Sequence, residues 1–170
     1  GFLGSITRYC GDREKIRYFP NWADDGASAS AIEPAPLPNV PAETGRFNIL
    51  FAGNVGVAQD SPTILDAAEN LKSSGRFRWL IVGDGSMSDW LAAEVERRGL
   101  RESMVLLGRF PPERMPSFYA HADALLVSLK PDPVFSLTIP SKVQSYLMTG
   151  IPLLGMLDGE GAAVIRAAMA

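Results

Sequence analysis

Short apolar segments alternate with longer amphipathic stretches along most of the chain. From residue 48 onward the apolar segments are bounded by turn-forming residues, and the stretches between them have a helical period. This alternation is typical of a parallel sheet that is buried on both faces and connected by crossover helices. We therefore expect an α/β fold, with a Rossmann-like parallel sheet flanked by helices. The predicted strands cover residues 16–19, 48–52, 79–82, 105–107, 124–128 and 152–156.

Helix-capping signals separate the predicted strands. A Pro in the first turn, or a Ser with an acidic residue three positions later, indicates a helix start, and basic residues followed by Gly indicate an end. The predicted starts are Asp60–Ser61–Pro62, Ser86 with Asp89, Pro112, and Pro140–Ser141. The first of these helices should bury one face, made of Ile64, Leu65, Ala68 and Leu71, and end near Ser74 and Gly75.

The first quarter of the chain differs from the rest. Residues 24–46 carry four prolines and have no apolar period, as expected of a linker or surface segment. The first ten and the last ten residues each look like part of a helix, so we expect a piece of a longer protein. The predicted organisation is an interdomain crossover segment and Pro-rich linker over 1–46, then a Rossmann-like domain over 47–170 that is truncated at its C-terminus.

Composition excludes several classes of protein. The chain has 170 residues, 46% of them apolar and 21% charged, with a net charge of −3, which fits a globular domain and gives no reason to expect nucleic-acid binding. Cys10 is the only cysteine and His121 the only histidine, so the chain can form no internal disulfide and has too few soft ligands for a structural zinc site. We expect a reducing compartment, and neither a metal nor a cofactor.

Two glycine-containing loops follow predicted strands, where ligands bind in open parallel sheets. The first holds Gly53, Asn54 and Gly56, and the second holds Gly83 and Gly85. Glycine allows a ligand to approach backbone amides closely, although a tight turn alone would also explain it. Neither loop completes a phosphate-binding P-loop or a dinucleotide fingerprint.

The third loop begins with Arg109 and Phe110, whose backbone and ring could hold a flat base. Met115, Phe118 and Tyr119 have helical spacing and are predicted to pack in the core. His121 precedes a strand at the opposite edge of the sheet, so a structural role is favoured over a catalytic one.

The fourth loop is the most specific. It enters a helix at Pro140, Ser141 and Lys142, so that a hydroxyl, a cation and free first-turn amides should converge. This combination predicts a phosphate or diphosphate site, whereas a solvated helix start is the simpler alternative.

Four ordered segments together resemble one enzyme family. FAGNVG, LIVGDG, VLLGRFPPERMPSFYAHADALLV and TIPSKVQSYLMTGIPLL resemble, in order and spacing, the retaining nucleotide-sugar glycosyltransferases of the GT-B architecture (glycosyl transferase group 1, family 4 type) over about residues 48–160. YFPNW, residues 18–22, is similar to the segment that crosses between the two domains of that family. The TIPSK signature is similar to that of bacterial transferases of amino-deoxysugars in O-antigen or capsule assembly.

The resemblance implies a donor-binding domain and its site. The base would lie against Arg109 and Phe110, the diphosphate near Gly53, Ser141 and Lys142, and the sugar near Asp132, Phe135 and Thr138. The complete set of implied donor-binding residues is Gly53, Asn54, Gly56, Gly83, Gly85, Arg109, Phe110, Asp132, Thr138, Ser141, Lys142, Ser145, Gly159 and Glu160. No catalytic residue is predicted.

The chain departs from the family pattern in two places. Two glutamates common in the family are replaced by Leu137 and Ser145, and the basic residue that often follows the first glycine loop is replaced by Val57 and Ala58. Ser145 can form one hydrogen bond to a ribose hydroxyl but offers no charged acceptor.

The resemblance implies transfer of a sugar, an N-acetylated amino sugar for the closest subgroup, from a UDP-type nucleotide sugar. The acceptor would be a lipid-linked or saccharide acceptor in cell-surface polysaccharide synthesis. The implied partners are the nucleotide sugar, the acceptor and an N-terminal acceptor-binding domain, and the implied location is the cytoplasm or the inner face of the membrane. A sugar-nucleotide 2-epimerase and a non-catalytic nucleotide-sugar-binding subunit remain as alternatives. The isolated chain is expected to be inactive.

Overall fold

The computed structural model describes residues 2–19, 36–38, 40 and 45–168. The strands are β1 (Phe47–Ala52), β2 (Phe77–Val82), β3 (Met104–Gly108), β4 (Ala124–Ser128) and β5 (Leu153–Met156). The helices are α1 (Leu3–Cys10), α2 (Ser61–Leu71), α3 (Ser88–Arg97), α4 (Met115–Tyr119), α5 (Pro133–Ser136), α6 (Ser141–Leu147) and α7 (Gly159–Ala167).

The strands form one parallel sheet in the order β3-β2-β1-β4-β5. The chain therefore winds outward from β1 to β3, then returns to β4 on the other side of β1. The predicted α/β fold with a Rossmann-like parallel sheet is confirmed. Beside β1, β4 pairs only at Ile49–Ala124 and Leu50–Leu125, so the two strands separate toward their carboxyl ends.

Two apolar clusters cover the two faces of the sheet. Alternate residues of the central strands point to opposite faces, so Ile49 and Phe51 join a cluster with α2 and α3, while Leu50 and Ala52 join one with α4, α6 and α7. Phe118 and Tyr119 are buried in the second cluster, as predicted, and Met115 packs against it.

Five of the predicted strands are present within two residues of their expected bounds, and the strand predicted over 16–19 is wrong. Residues 16–19 lie outside the sheet, with Tyr18 81% and Phe19 77% exposed. Apolar composition favours a strand, but a strand forms only where a neighbour supplies its hydrogen bonds, and the described sheet provides none there.

Helix starts follow the capping signals with one exception, and at Pro112 the predicted start is a 3₁₀ turn, Pro112–Arg114, that leads directly into α4. α2 begins beside Asp60 and α6 after Pro140, as predicted. Leu71, which was predicted to belong to the buried face of α2, lies at the end of that helix and is 37% exposed. The predicted Ser86 capping box is wrong, because α3 begins two residues later at Ser88. The Ser88 hydroxyl donates to Asp84 Oδ1 at 3.0 Å, so the loop before the helix is held by a different serine.

Much of the first quarter of the chain falls outside the described residues. Residues 20–22 of the YFPNW segment and most of the Pro-rich linker belong to that part. Leu37 and Val40 pack against the second apolar cluster. The predicted division at residue 46 stays a prediction.

Candidate functional site

A cavity of about 770 Å³ lies at the carboxyl ends of β1, β2 and β3, beside the position where the winding of the sheet reverses. Ligands bind at this position in open α/β sheets. Its lining consists of Gly53, Asn54, Val82, Gly83, Asp84, Gly85, Arg109, Phe110, Pro111, Pro112 and Met115. Six of the predicted donor-binding residues are thus brought together in one cavity: Gly53, Asn54, Gly83, Gly85, Arg109 and Phe110.

Backbone forms one wall of this cavity because two glycines meet there. Gly53 and Gly83 have φ values of 140° and 138°, which residues that carry a side chain rarely adopt. A Cβ on Gly83 would lie 1.8 Å from the Gly53 carbonyl oxygen. The glycines at these two positions are therefore required because two backbone segments approach each other closely there.

Asn54 and Gly85 join the two glycine loops. A Cβ on Gly85 would lie 2.4 Å from the Val55 carbonyl oxygen and 2.6 Å from Asn54 Oδ1. The Val55 amide donates to the Asp84 carbonyl oxygen at 2.9 Å. Gly56, the other glycine of the first loop, lies under the Asn54 amide group, where a Cβ would be 2.6 Å from Nδ2.

Asp84 supplies a carboxylate to the cavity. Its Oδ1 accepts hydrogen bonds from the Gly85 amide at 2.7 Å and the Ser88 hydroxyl at 3.0 Å. These bonds lower the pKa of the carboxyl, and the nearby charge of Arg109 lowers it further. An Asp between two glycines is also typical of an ordinary turn, so the sequence alone did not indicate this contribution of Asp84 to the cavity.

Phe110 contributes a ring that is less available than expected. The ring is half-buried and packs at a tilt against Phe118, with 4.7 Å between centroids. The ring therefore presents only part of its surface to the cavity. Pro111, Pro112 and Met115 extend the apolar part of the wall. In the sequence, only the Pro-Pro pair in the loop after β3 could have indicated this.

Lys142 carries an ammonium group to the edge of the site. It is the second residue of α6, and a Cβ on Gly53 would lie 3.0 Å from its Nζ. Nζ is buried and makes no hydrogen bond to any described residue. It lies 3.8 Å from the centroid of the Phe51 ring. Burial lowers the pKa of Lys142 to about 8. The surrounding groups therefore offset only part of the cost of burying its positive charge.

Tyr146, one helical turn after Lys142, closes the end of β1. Its hydroxyl accepts from the Ala52 amide at 2.8 Å and donates to the Ala52 carbonyl oxygen at 3.1 Å. These contacts occur where β1 and β4 have separated. Lys142 and Tyr146 thus dock α6 against the same end of the same strand.

The remaining predicted residues lie outside the cavity lining. Asp132 caps α5, accepting from the Val134 amide at 2.8 Å, and the Thr138 hydroxyl donates to the Phe135 carbonyl oxygen at 2.7 Å. Gly159 opens α7 against this loop, where a Cβ would lie 1.9 Å from the Ser136 carbonyl oxygen. The other members of the predicted set, for which the structure adds no contact with the cavity, are Gly56, Ser141, Ser145 and Glu160.

His121 lies away from the site. It occupies the turn before β4, at the amino edge of the sheet, where its carbonyl oxygen accepts from Asn48 Nδ2 at 2.8 Å. This position agrees with the predicted structural role. Among the described residues there is no cluster of His, Cys, Asp or Glu that could hold a metal ion, and no helix long and apolar enough to cross a bilayer.

A family model of known proteins matches residues 37–134, more than half of the chain, and is described as glycosyl transferases group 1. The chain belongs to this family. The matched range contains the two glycine loops, the Arg109–Phe110 loop and Asp132, whereas α6 with Lys142 lies beyond it. No curated protein sequence matches the chain.

Solved structures confirm the fold of this group 1 glycosyl transferase chain. WaaG, a glycosyltransferase involved in lipopolysaccharide biosynthesis, has a TM-score of 0.74 at 14% identity, covering 97% of this chain and 44% of WaaG. A glycosyltransferase from Rickettsia africae has a TM-score of 0.71 at 13% identity, covering 96% of this chain and 45% of that one. HepE from Anabaena, in complex with UDP and glucose, has a TM-score of 0.56 at 20% identity, covering 71% of this chain and 32% of HepE.

The chain therefore spans less than half the length of these structural neighbours. The predicted fold class, an α/β sheet with GT-B glycosyltransferases as its structural neighbours, is confirmed, and so is the glycosyltransferase family. The donor-binding role of individual residues stays a prediction.

Proposed function

We propose that this chain is the donor-binding domain of a glycosyltransferase that uses a UDP-type nucleotide sugar. The observation that carries the proposal is the buried ammonium of Lys142, which lacks a hydrogen-bond partner among the described residues and lies against Gly53 at the rim of the cavity. A diphosphate oxygen at this point would supply the missing acceptor and offset the cost of the buried charge.

The rest of the cavity fits a nucleotide. Its volume of about 770 Å³ is within the ordinary range for small-molecule sites. Apolar groups of Pro111, Pro112 and Met115 can cover the faces of a base, while Arg109 and the glycine backbone provide polar contacts. HepE, which shares the fold, is described as a complex with UDP and glucose.

The sugar would lie toward the loop of Asp132 and Thr138 and the start of α7 at Gly159 and Glu160. These two segments contact each other at Ser136 and Gly159. The resemblance of TIPSK to amino-deoxysugar transferases supports an N-acetylated amino sugar as the transferred group.

Transfer would build negative charge on the leaving diphosphate. Groups already positioned to receive that charge stabilise the transition state more than the ground state. We assign this role to Lys142, supported by the backbone amides of Ser141 and Lys142 at the start of α6, and the proposal therefore includes transfer without a metal. Retention of the anomeric configuration is part of the proposal because of the resemblance to the retaining family. No group on this chain is assigned as a base, and His121 at the opposite edge gives no support to the epimerase alternative.

The proposed acceptor is lipid-linked or saccharide, bound by a separate N-terminal domain, in the synthesis of a cell-surface polysaccharide on the cytoplasmic side of the membrane. WaaG, with the same fold, is involved in lipopolysaccharide biosynthesis. The chain alone is then expected to bind the donor without transferring the sugar.

Calorimetric titration of the chain with UDP, uridine, ADP and GDP tests the proposal. We expect UDP to bind most tightly, and Lys142→Met to weaken UDP about 10- to 100-fold, the value of a charge-assisted hydrogen bond, without affecting uridine. Lys72→Met is the matched control, because Lys72 lies at the opposite edge of the sheet with Nζ 3.3 Å from the Arg98 carbonyl oxygen. The proposal fails if no nucleoside diphosphate binds, or if both variants bind UDP like the unmodified chain.

A comparison of UDP-N-acetylglucosamine and UDP-N-acetylgalactosamine with UDP-glucose and UDP-galactose tests the sugar. Tighter binding of the N-acetylated pair is expected. Equal or weaker binding of that pair would overturn the amino-sugar assignment while leaving the nucleotide assignment intact.

A further inference from the structure

The ring of Phe51 is the nearest group that can stabilise the Lys142 charge. The ammonium lies 3.8 Å from the ring centroid, well within the range of a cation–π contact. Phe51 is a buried residue of β1 with only 3% of its surface exposed, so its ring orientation is fixed by the surrounding core.

The empty side-chain position at Gly53 makes room for this contact. Phe51 and Gly53 are two residues apart, on either side of the last residue of β1. Their side-chain positions therefore lie on the same side of the chain. The end of the Lys142 side chain occupies the space beside Gly53, where a Cβ would lie 3.0 Å from Nζ and 3.4 Å from Cε. A bulky residue at either position would change where the ammonium lies.

Nothing else in the described part of the chain competes for this ammonium. Nζ has no hydrogen-bond partner there, and burial alone, without a charged neighbour, lowers the pKa of Lys142. The titratable group nearest on α6, the Tyr146 hydroxyl, is occupied by both polar groups of Ala52. The ring face is the favourable electrostatic contact that the structure shows for this ammonium.

We propose that Phe51 is a positioning residue, whose ring holds the Lys142 ammonium beside Gly53 at the place where the diphosphate of the donor binds. This inference rests on the proposed function. A neutral ring suits the task better than a carboxylate would, because it fixes the ammonium without cancelling its charge or repelling the phosphate. In the complex the ammonium then lies between the ring and the diphosphate.

Graded fluorination of Phe51 tests this without removing the side chain. Phenylalanine analogues with one, two and five ring fluorines, placed at position 51, progressively withdraw electron density from the ring face at almost constant shape. The same analogues at Phe77 are the control, since Phe77 packs against the same apolar cluster from the amino end of β2. The readouts are the Lys142 pKa, from the chemical shift of Cε, and the affinities for UDP, inorganic pyrophosphate and uridine.

At position 51 we expect the Lys142 pKa to fall stepwise with fluorine content. UDP and pyrophosphate should bind about three- to thirty-fold more weakly with the pentafluoro analogue, the range that a cation–π contact spans, while uridine affinity stays constant. With the same analogues at position 77, the Lys142 pKa and the affinities for UDP and pyrophosphate should not change. A Lys142 pKa that is constant across the position-51 series would overturn the contact, and constant UDP and pyrophosphate affinities would overturn its role in binding.

These outcomes are separable from the proposed function. If the unmodified chain binds UDP and Lys142→Met binds it more weakly as expected, but fluorination at 51 changes nothing, then only the role of Phe51 fails. If the unmodified chain binds neither UDP nor pyrophosphate, the proposed function fails and the positioning role fails with it. Should the largest analogue unfold the chain, Phe51→Tyr and Phe51→Leu take its place, with binding preserved by Tyr and weakened by Leu.

Discussion

The Tyr146 hydroxyl bonds to both the amide and the carbonyl oxygen of Ala52, at 2.8 and 3.1 Å. A side chain from α6 thereby satisfies the last residue of β1, where β4 has separated from it. Buried backbone groups need partners, so this contact fixes α6 to the end of β1, at the edge of the sheet that carries the cavity.

Tyr146→Phe should lower the free energy of unfolding by about 1–3 kcal/mol, because both polar groups of Ala52 would be buried without partners. Urea denaturation measures the change. Tyr119→Phe is the control: its ring packs edge-on against Tyr146 at 5.6 Å, and within the described residues its hydroxyl makes no hydrogen bond. Equal losses in the two variants would contradict the assignment.

Gly83→Ala should be much more costly than Gly75→Ala. Both glycines have positive φ, 138° and 62°, but a Cβ at 83 would lie 1.8 Å from the Gly53 carbonyl oxygen, whereas no atom lies within 4 Å at 75. We expect about 1 kcal/mol for Gly75→Ala and about 3 kcal/mol or more for Gly83→Ala. Thermal and urea unfolding of the two variants check this, and similar costs would show that the loops do not meet as described.

Lys142→Met should stabilise the chain at neutral pH while weakening diphosphate binding. Burial lowers the pKa of Lys142 from 10.5 to about 8, so the unfolded chain binds more protons than the folded chain between these values. The penalty of the buried charge is complete below pH 8 and is relieved as the pH rises toward 10.5. The gain from Met should therefore be on the order of 1–3 kcal/mol at pH 7 and disappear near pH 10.5. Unfolding free energies measured across this range test the sign, and a loss of stability at pH 7 would contradict it.

Glu94→Gln should destabilise the chain at neutral pH but not in acid. Glu94 bonds to Arg97 at 2.7 and 2.8 Å and to Arg98 at 3.1 Å, and these contacts lower its pKa from 4.5 to about 2. The stability that the carboxylate contributes is present above pH 4.5 and is lost as the pH falls through 2. Urea unfolding at pH 7, 4 and 2.5 should show the difference between Glu94→Gln and the unmodified chain shrinking. Glu69→Gln, at a more exposed partner of Arg98, should show a smaller effect at every pH.

The short apolar runs in the sequence predicted the sheet well because parallel strands are buried on both faces. Leu50 and Phe51 point to opposite clusters and are both buried, so the strand appears in the sequence as an uninterrupted apolar run. The same criterion failed at Tyr18 and Phe19, because composition alone does not say whether a neighbouring strand is present.

The candidate site was predictable where a residue of a type that binds ligands directly follows a predicted strand. Gly53, Gly83 and Arg109 each follow a strand, and parallel topology brings such positions to one edge. Phe51 and Tyr146 could not be found in this way, since in the sequence they are ordinary apolar positions of a strand and a helix. Their roles arise only from the opening between β1 and β4, which no local pattern encodes.

The bond between Ala52 and Tyr146 makes one backbone amide a reporter of ligand binding. Since the Ala52 hydrogen is held by a side chain of α6 and not by an adjacent strand, its exchange with solvent requires α6 to detach, even while the ladder to β2 stays intact. A ligand that bridges Gly53 and Lys142 would slow that detachment. Deuterium uptake at this single site would then reveal occupancy of the crevice in the absence of any turnover.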